Sequence, residues 1–446
     1  MLPIIEIHER SLSGPVMKSD EFDMEFAMKI RDVVKKYNIE YNENELVVDD
    51  ATADAIFQAA VELLAEVGIY HLDTERVIKL TKEEIEKTAQ EYSDNPSKHT
   101  FGKDKDEVTI EYRASTDKRP PTLYAGSWGV AQEEWYVPYI QSFAQEESIK
   151  AMGITAGLAK LGDMKAKAGT PSEIVVGLWE QEHIKEALEK AGRPGLHVGL
   201  LATLSSPSGI MTMMAAGLRE AHNTQIGVHI IPEMKISWSQ LVLAQFCQVR
   251  GIQPWQSSMS MIGGLCRNAA DTAVGLTANL LGQLTYAHGQ LCSLFTNHMD
   301  GKSATKPTHW AYSGAARASE RNIKVCIGGC ASGVLCKSPF TLIQAVNMAT
   351  LFTASGMSFC WIAGNTGIEA RYSGEVMNAM AGMEREQAIE VINKIMDLQL
   401  KYAPEVKGNT CKFPEVYDLE TVQPHQWYID HLEKAKEELA ACGVPY

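Results

Sequence analysis

Two rhythms of apolar and polar residues divide the chain. Over roughly the first 120 residues the spacing is helical. It runs through Asp23–Tyr37 and again through Ala51–Val67, so this part is predicted to be α-rich. Asp73 and Thr74 are suited to cap a next helix, and Thr81-Lys-Glu-Glu84 is a capping-box pattern for the one after it. Val108-Thr-Ile-Glu-Tyr-Arg113 alternates apolar and polar side chains, the pattern of a half-buried hairpin strand.

From about Pro121 short β-rich runs recur, each followed by a longer amphipathic stretch. The predicted strands are Thr122–Gly126, Met164–Gly169, Leu196–Leu201, Ile226–Ile231, Ser257–Ile262, Leu291–Asn297, Ile323–Gly328 and Met357–Ala363. The predicted helices are Glu146–Leu161, Ser172–Ala191, Gly209–His222, Pro232–Arg250, Asn268–His288, His309–Arg321, Phe340–Ser355 and a last long one around Gly374–Tyr402. Eight such units match a (β/α)8 TIM barrel, an α/β fold with a closed parallel sheet. The second run, Met164-Lys-Ala-Lys-Ala-Gly169, has little β-forming character. The expected organisation is an α-rich extension with a β-hairpin over 1–120, the barrel over 121–410, and a tail with a helix at Trp427–Cys442 over 411–446.

The net charge of −15 and the lack of any Lys/Arg cluster argue against nucleic acid as a partner. The apolar runs are short and interrupted, so no transmembrane helix is expected. The opening residues carry acids and no basic region of a signal peptide. The 9 cysteines include no C-x-x-C pair and sit mostly in apolar segments, the usage of a reducing, cytoplasmic setting.

In a barrel of this kind the chemistry belongs at the C-terminal ends of the strands. Those ends read Gly126-Ser-Trp-Gly129, Gly169-Thr170, Gly199–Ser206, His229, Gly263-Gly264, Asn297-His-Met-Asp-Gly301, Gly328-Gly-Cys330 and Gly364-Asn-Thr-Gly367. The glycines suit either tight turns or a wide mouth where a bulky planar cofactor meets bare backbone, with Gly263, Gly264, Gly328 and Asn365 as contacts. No phosphate-binding loop is present. His298 and Asp300 share a strand end and suit either acid–base work or a hydrogen-bonded turn. Glu369 and Arg371 read as a structural ion pair. Cys326, Cys330 and Cys336, with His298 or His309, offer zinc-type ligands, though buried apolar cysteine is the simpler reading. Trp128, Trp135, Tyr136 and Tyr139 suit either packing or a cage for a methylated ammonium group.

At Ala191-Gly-Arg-Pro-Gly195 the chain resembles the monomethylamine:corrinoid methyltransferases of methanogens. Further matches are Glu66-Val-Gly-Ile-Tyr70 with Asp73-Thr74, His298-Met-Asp-Gly301, Thr353-Ala-Ser-Gly356, Thr366-Gly-Ile-Glu-Ala-Arg371 and Gly374-Glu-Val376. The resemblance implies a barrel with its site in the mouth, a homo-oligomer, and a corrinoid protein as methyl acceptor. The corrinoid would be presented by that partner rather than bound tightly here. In the family a pyrrolysine follows this motif; here Gly199 stands in its place. The family's acidic and amide partners fall on Ser257 and Gly329.

The resulting expectation is a pyrrolysine-independent methyltransferase acting on a small methylated amine. Pyrrolysine-free relatives in the neighbouring trimethylamine family act on quaternary amines, which points by analogy to a quaternary donor. The expected reaction-site positions are Gly199, Ser257, Gly329, His229, His298 and Asp300, with Trp128, Trp135, Tyr136 and Cys330 against the substrate. Two alternatives stand beside it: a non-catalytic barrel that binds a ligand or the corrinoid protein, and a zinc-activated thiol or alcohol methyltransferase using Cys326 or Cys330.

Overall fold

The computed structural model describes residues 1–127, 129–200, 203–363 and 365–444, with only the backbone of residues 331 and 332. The barrel strands are β1 Thr122–Gly126, β2 Ala151–Met152, β3 His197–Val198, β4 Ile226–Gly227, β5 Pro254–Ile262, β6 Leu291–His298, β7 Cys326–Ser332 and β8 Phe359–Ala363. They form one 8-stranded sheet in the order β4-β5-β6-β7-β8-β1-β2-β3, and every pairing is parallel. The two ends meet where the Gln225 N–H donates to the Gly199 carbonyl at 3.0 Å, which closes the ring. The expected α/β TIM barrel is therefore present.

Helices follow the strands: α1 Glu133–Ala144, α2 Pro171–Lys190, α3 Pro207–Ala215, α4 Trp238–Arg250, α5 Ala269–Ala287, α6 Lys306–Asn322, α7 Phe340–Ala354 and α8 Gly367–Met380. None of the described helices is long and apolar enough to cross a membrane. The second unit corrects the sequence reading. Residues 164–169 form exposed turns, and strand β2 is the buried pair Ala151–Met152. The first barrel helix is Glu133–Ala144, with no helix at 146–161. A two-residue strand carries too little alternation to be read by periodicity. The long helix predicted at Gly374–Tyr402 is two helices, Gly367–Met380 and Arg385–Tyr402, parted near Gly382 at φ +79°. Asp73 starts no local helix. Its carboxylate accepts from the Trp238 N–H at 2.7 Å and so caps α4, 165 residues away. The Thr81 capping box forms as read.

The predicted hairpin pairs Lys98–Phe101 with Val108–Glu111. Its Phe101 and Ile110 join Tyr124, Trp255, Leu291, Cys326 and Phe359 in a cluster inside the barrel. Phe101 stacks on His197 at 4.3 Å. The hairpin thus plugs the N-terminal end of the barrel, leaving the mouth as its open side. The N-terminal helices Ser19–Lys36 and Asp50–Val67 pack outside α5, and the latter also against α6.

Candidate active site

Because side chains alternate across a strand, every second residue of the barrel strands points inward. On β5 these are Trp255, Ser257 and Met259; on β6, Phe295 and Asn297; on β8, Trp361. With Ile154, Leu200, Leu204, Ser205, Ile210, Gln225 and the β4 residues Ile226 and Gly227 they enclose a cavity of about 480 Å³, which His229 and Gln240 complete. None of the described lining residues is Asp, Glu, Lys or Arg. The lining is aromatic: the Trp255 and Trp361 rings meet edge to face at 5.4 Å, and Phe295 meets Trp361 the same way at 5.8 Å. Tyr124 and Phe359 support Trp255 from below at 5.6 and 5.8 Å.

The polar groups are neutral. The Gln225 Oε1 lies 3.0 Å from His197 Nε2 and accepts from the Tyr124 hydroxyl at 3.4 Å. Burial pushes the His197 imidazole down to about 3 and the His229 imidazole down to about 4, so both are uncharged at neutral pH. The His229 backbone N–H donates to Gln240 Oε1 at 2.6 Å, and its carbonyl accepts from the Tyr286 hydroxyl at 3.1 Å. One wall is fastened by two carboxylates on α2. Glu180 accepts from the N–H groups of Leu158 and Thr203, and Glu173 from those of Gly169, Ser205 and Ser206.

The structure sorts the sequence-predicted residues. Ser257 and His229 line the cavity. Gly199 lies at the β3–β4 seam, where a Cβ would stand 2.7 Å from the Gly153 carbonyl oxygen and 3.0 Å from Gln225 Oε1. Gly329 is a correction: its face of β7 turns outward onto the Phe352 ring, so it cannot supply a group to the cavity. Gly328 faces inward, but the Phe359 ring occupies the space beside it. Asn365 is fully buried, its side-chain Nδ2 donating to the Thr341 carbonyl at 3.3 Å while its backbone carbonyl accepts from the Tyr139 hydroxyl at 3.2 Å. Neither has a surface to offer a planar cofactor. Gly263 and Gly264 are exposed at the rim.

His298 and Asp300 take the turn roles. His298 Nε2 bonds Thr305 Oγ1 at 2.8 Å, and exposed Asp300 pairs with Lys302 at 2.6 Å. The expected Glu369–Arg371 pair does not form: Glu369 accepts from Tyr428 and Thr366, and Arg371 reaches Glu146 at 3.3 Å. Trp135 packs with Tyr139 and Phe413 on a separate cavity, and Tyr136 donates to the Ala156 carbonyl at 2.9 Å against Trp179, so neither reaches the mouth. Trp128 lies outside the described residues. Cys330 belongs to the barrel interior, Cys326 donates to the Ser97 carbonyl at 3.3 Å, and Cys336 sits beside Thr341. Among the described residues no three His, Cys, Asp or Glu side chains assemble to hold a metal, which removes the zinc grouping.

Sequence reasoning missed Trp255, Phe295, Trp361 and Gln225. It began β5 at Ser257, and Trp255 stands two residues earlier on the same face. Phe295 and Trp361 lay inside predicted strands, two residues below the ends that were searched.

A closed barrel whose mouth holds an aromatic cavity, with no charged side chain among the described lining residues, has the layout of an α/β-barrel enzyme. The family model of "Monomethylamine methyltransferase MtmB" matches residues 2–444. The chain belongs to this family and is a corrinoid-dependent methyltransferase, a transferase of one-carbon groups. It is 27% identical to monomethylamine methyltransferase MtmB of Methanosarcina mazei, over 99% of this chain and 98% of that protein. It is 26% identical to MtmB2 of Methanosarcina acetivorans with the same coverage. The crystal structure of the Methanosarcina barkeri monomethylamine methyltransferase superposes with a TM-score of 0.92 at 22% identity, covering 100% of this chain and 99% of that one.

Proposed function

We propose that this methyltransferase takes its methyl group from a quaternary methylammonium compound, without pyrrolysine, and passes it to a partner corrinoid protein. The observation that carries this reading is the mouth cavity: an aromatic lining of Trp255, Phe295 and Trp361 and no charged residue among those described. A neutral amine is a poor methyl donor, because its departing group is a strong base unless something bonds to nitrogen. Gly199 offers no side chain for that, and the space beyond its Cα is closed by the Gly153 carbonyl. A quaternary ammonium departs as a neutral amine and needs only holding and aiming. Aromatic faces hold such a cation with about 0.5–2 kcal/mol each.

The rim suits a planar acceptor. Gly129, Gly263, Gly264 and Gly301 are exposed, and a Cβ at Gly129 or Gly301 would meet nothing within 4 Å. The corrinoid supplies the nucleophile; this chain's residues hold the donor, exclude water from it and direct a methyl group toward the opening. The 9 cysteines are free thiols, which supports a cytoplasmic setting, and the family resemblance implies a homo-oligomer.

The test is transfer of a deuterated methyl group to a corrinoid protein from a panel of methylated amines, read by mass spectrometry. Quaternary donors are expected to react and monomethylamine to fail. Trp361→Leu and Phe295→Leu are each expected to raise KM roughly 2- to 30-fold, the loss of one cation–π contact. Turnover of monomethylamine alone would overturn the proposal. Binding of a donor with no transfer to any competent corrinoid protein would favour a non-catalytic barrel.

A further inference from the structure

Two hydrogen-bond donors in the deep part of the cavity meet no acceptor among the described residues. Gln225 is fully buried; its Oε1 lies 3.0 Å from His197 Nε2 and accepts from the Tyr124 hydroxyl at 3.4 Å. Its Nε2 has no partner among the described residues. Trp255 is 1% exposed, and its Nε1–H likewise has no partner among the described residues. Both residues line the cavity. An unpaired buried N–H that borders a cavity is available to an acceptor that arrives with a ligand, and here two such groups border the same cavity.

Depth separates these donors from part of the aromatic wall. Trp255 pairs in register with Gly227, deep in the barrel, while Phe295 is level with Met259, four residues nearer the mouth. An acceptor seated on Gln225 and Trp255 leaves the other end of a small molecule beside Phe295, facing the opening. The described lining provides no countercharge for a net cation or a net anion.

Resting on the reading of the donor as a quaternary methylammonium compound, we infer that this donor is a net-neutral zwitterion. Its carboxylate-type oxygen is held by the N–H groups of Gln225 and Trp255, and its methylammonium end is held toward the mouth. Gln225 and Trp255 then determine specificity as well as affinity: they select donors carrying an acceptor and turn the methyl groups outward.

Calorimetric titration of the whole protein, without any corrinoid partner, tests this with two probes. N,N,N-trimethylglycine has both groups; tetramethylammonium has only the cation. The zwitterion is expected to bind at least about tenfold more tightly. Trp255→Phe keeps a ring and removes the N–H, and Gln225→Met keeps the volume and removes the amide. Each is expected to reduce the preference ratio several-fold, with melting curves confirming that the variants are folded. Equal affinity for the two probes, or an unchanged ratio in folded Trp255→Phe, overturns the inference and leaves the quaternary-donor reading standing. Binding of monomethylammonium with neither probe bound overturns both.

Discussion

At the scale of single residues, glycine marks where the barrel has no space to give. Gly199 and Gly329 both stand where the family resemblance calls for functional side chains, yet they differ. Gly199 faces the barrel interior, hemmed by the Gly153 carbonyl and Gln225. Gly329 faces the helix layer, its Cβ direction filled by the Phe352 ring. Restoring an amide by Gly329→Gln therefore cannot rebuild a site. It is expected to destabilise the protein by about 1–3 kcal/mol through overpacking, with no gain of activity on monomethylamine. Urea denaturation and a methyl-transfer assay check the two halves. A stable variant that gains turnover would show that Gly329 does reach the cavity. Periodicity could place Gly329 on a strand, but which face turned inward depended on the register with β6 and β8, set by long-range pairing.

At the scale of elements, the mouth is held by parts far apart in sequence. The wall that carries Leu204 and Ser205 hangs from α2 through Glu173 and Glu180, seven residues apart on one helix face. Burial raises the Glu180 carboxyl, while its bonds from Thr203 and Leu158 oppose that rise. Glu180→Ala leaves the Leu158 and Thr203 N–H groups without an acceptor, at a cost of about 1–3 kcal/mol each. Hydrogen exchange at residues 203–206 is expected to accelerate and KM to rise more than kcat falls. Unchanged exchange there would show that Glu173 alone secures the wall. The hairpin is the opposite anchor. Phe101→Ala removes the ring that stacks on His197 and fills the base, and is expected to cost about 3–5 kcal/mol by denaturant titration. These two elements were unequally legible. The alternation of Val108–Arg113 showed a hairpin strand, since half-burial leaves a period of two. Nothing local showed that it would enter a barrel end, or that Asp73 would cap α4.

Across the whole molecule, burial of ionisable groups writes a pH dependence with two opposing parts. His197, His229 and His309 are pushed down to about 3, 4 and 4. The unfolded chain takes up these protons first, so their contribution is complete above about pH 6.5 and is lost as pH falls toward 4. Glu233 and Glu369 are pushed up to about 7 by burial. For them the sign reverses: their contribution is complete below about 4.5 and lost as pH rises through 7. The Tm of Glu369→Gln relative to the native chain is accordingly expected to improve between pH 5 and pH 8, and that of His309→Gln to improve between pH 7 and pH 4.5. Parallel melting curves for variant and native chain would refute the assignment. The barrel itself was readable from local pattern, because most of its strands and helices are long enough for their burial periodicity to repeat. Acidic net charge, free cysteines and the family motifs were likewise properties of composition and order. The aromatic lining was not. Trp255, Phe295 and Trp361 come from three strands, and Gln225 directly precedes a fourth; their shared cavity exists only because the sheet closes and turns these side chains into one space. A strand's pattern determines that alternate residues face inward, but only the closed ring decides which of them meet.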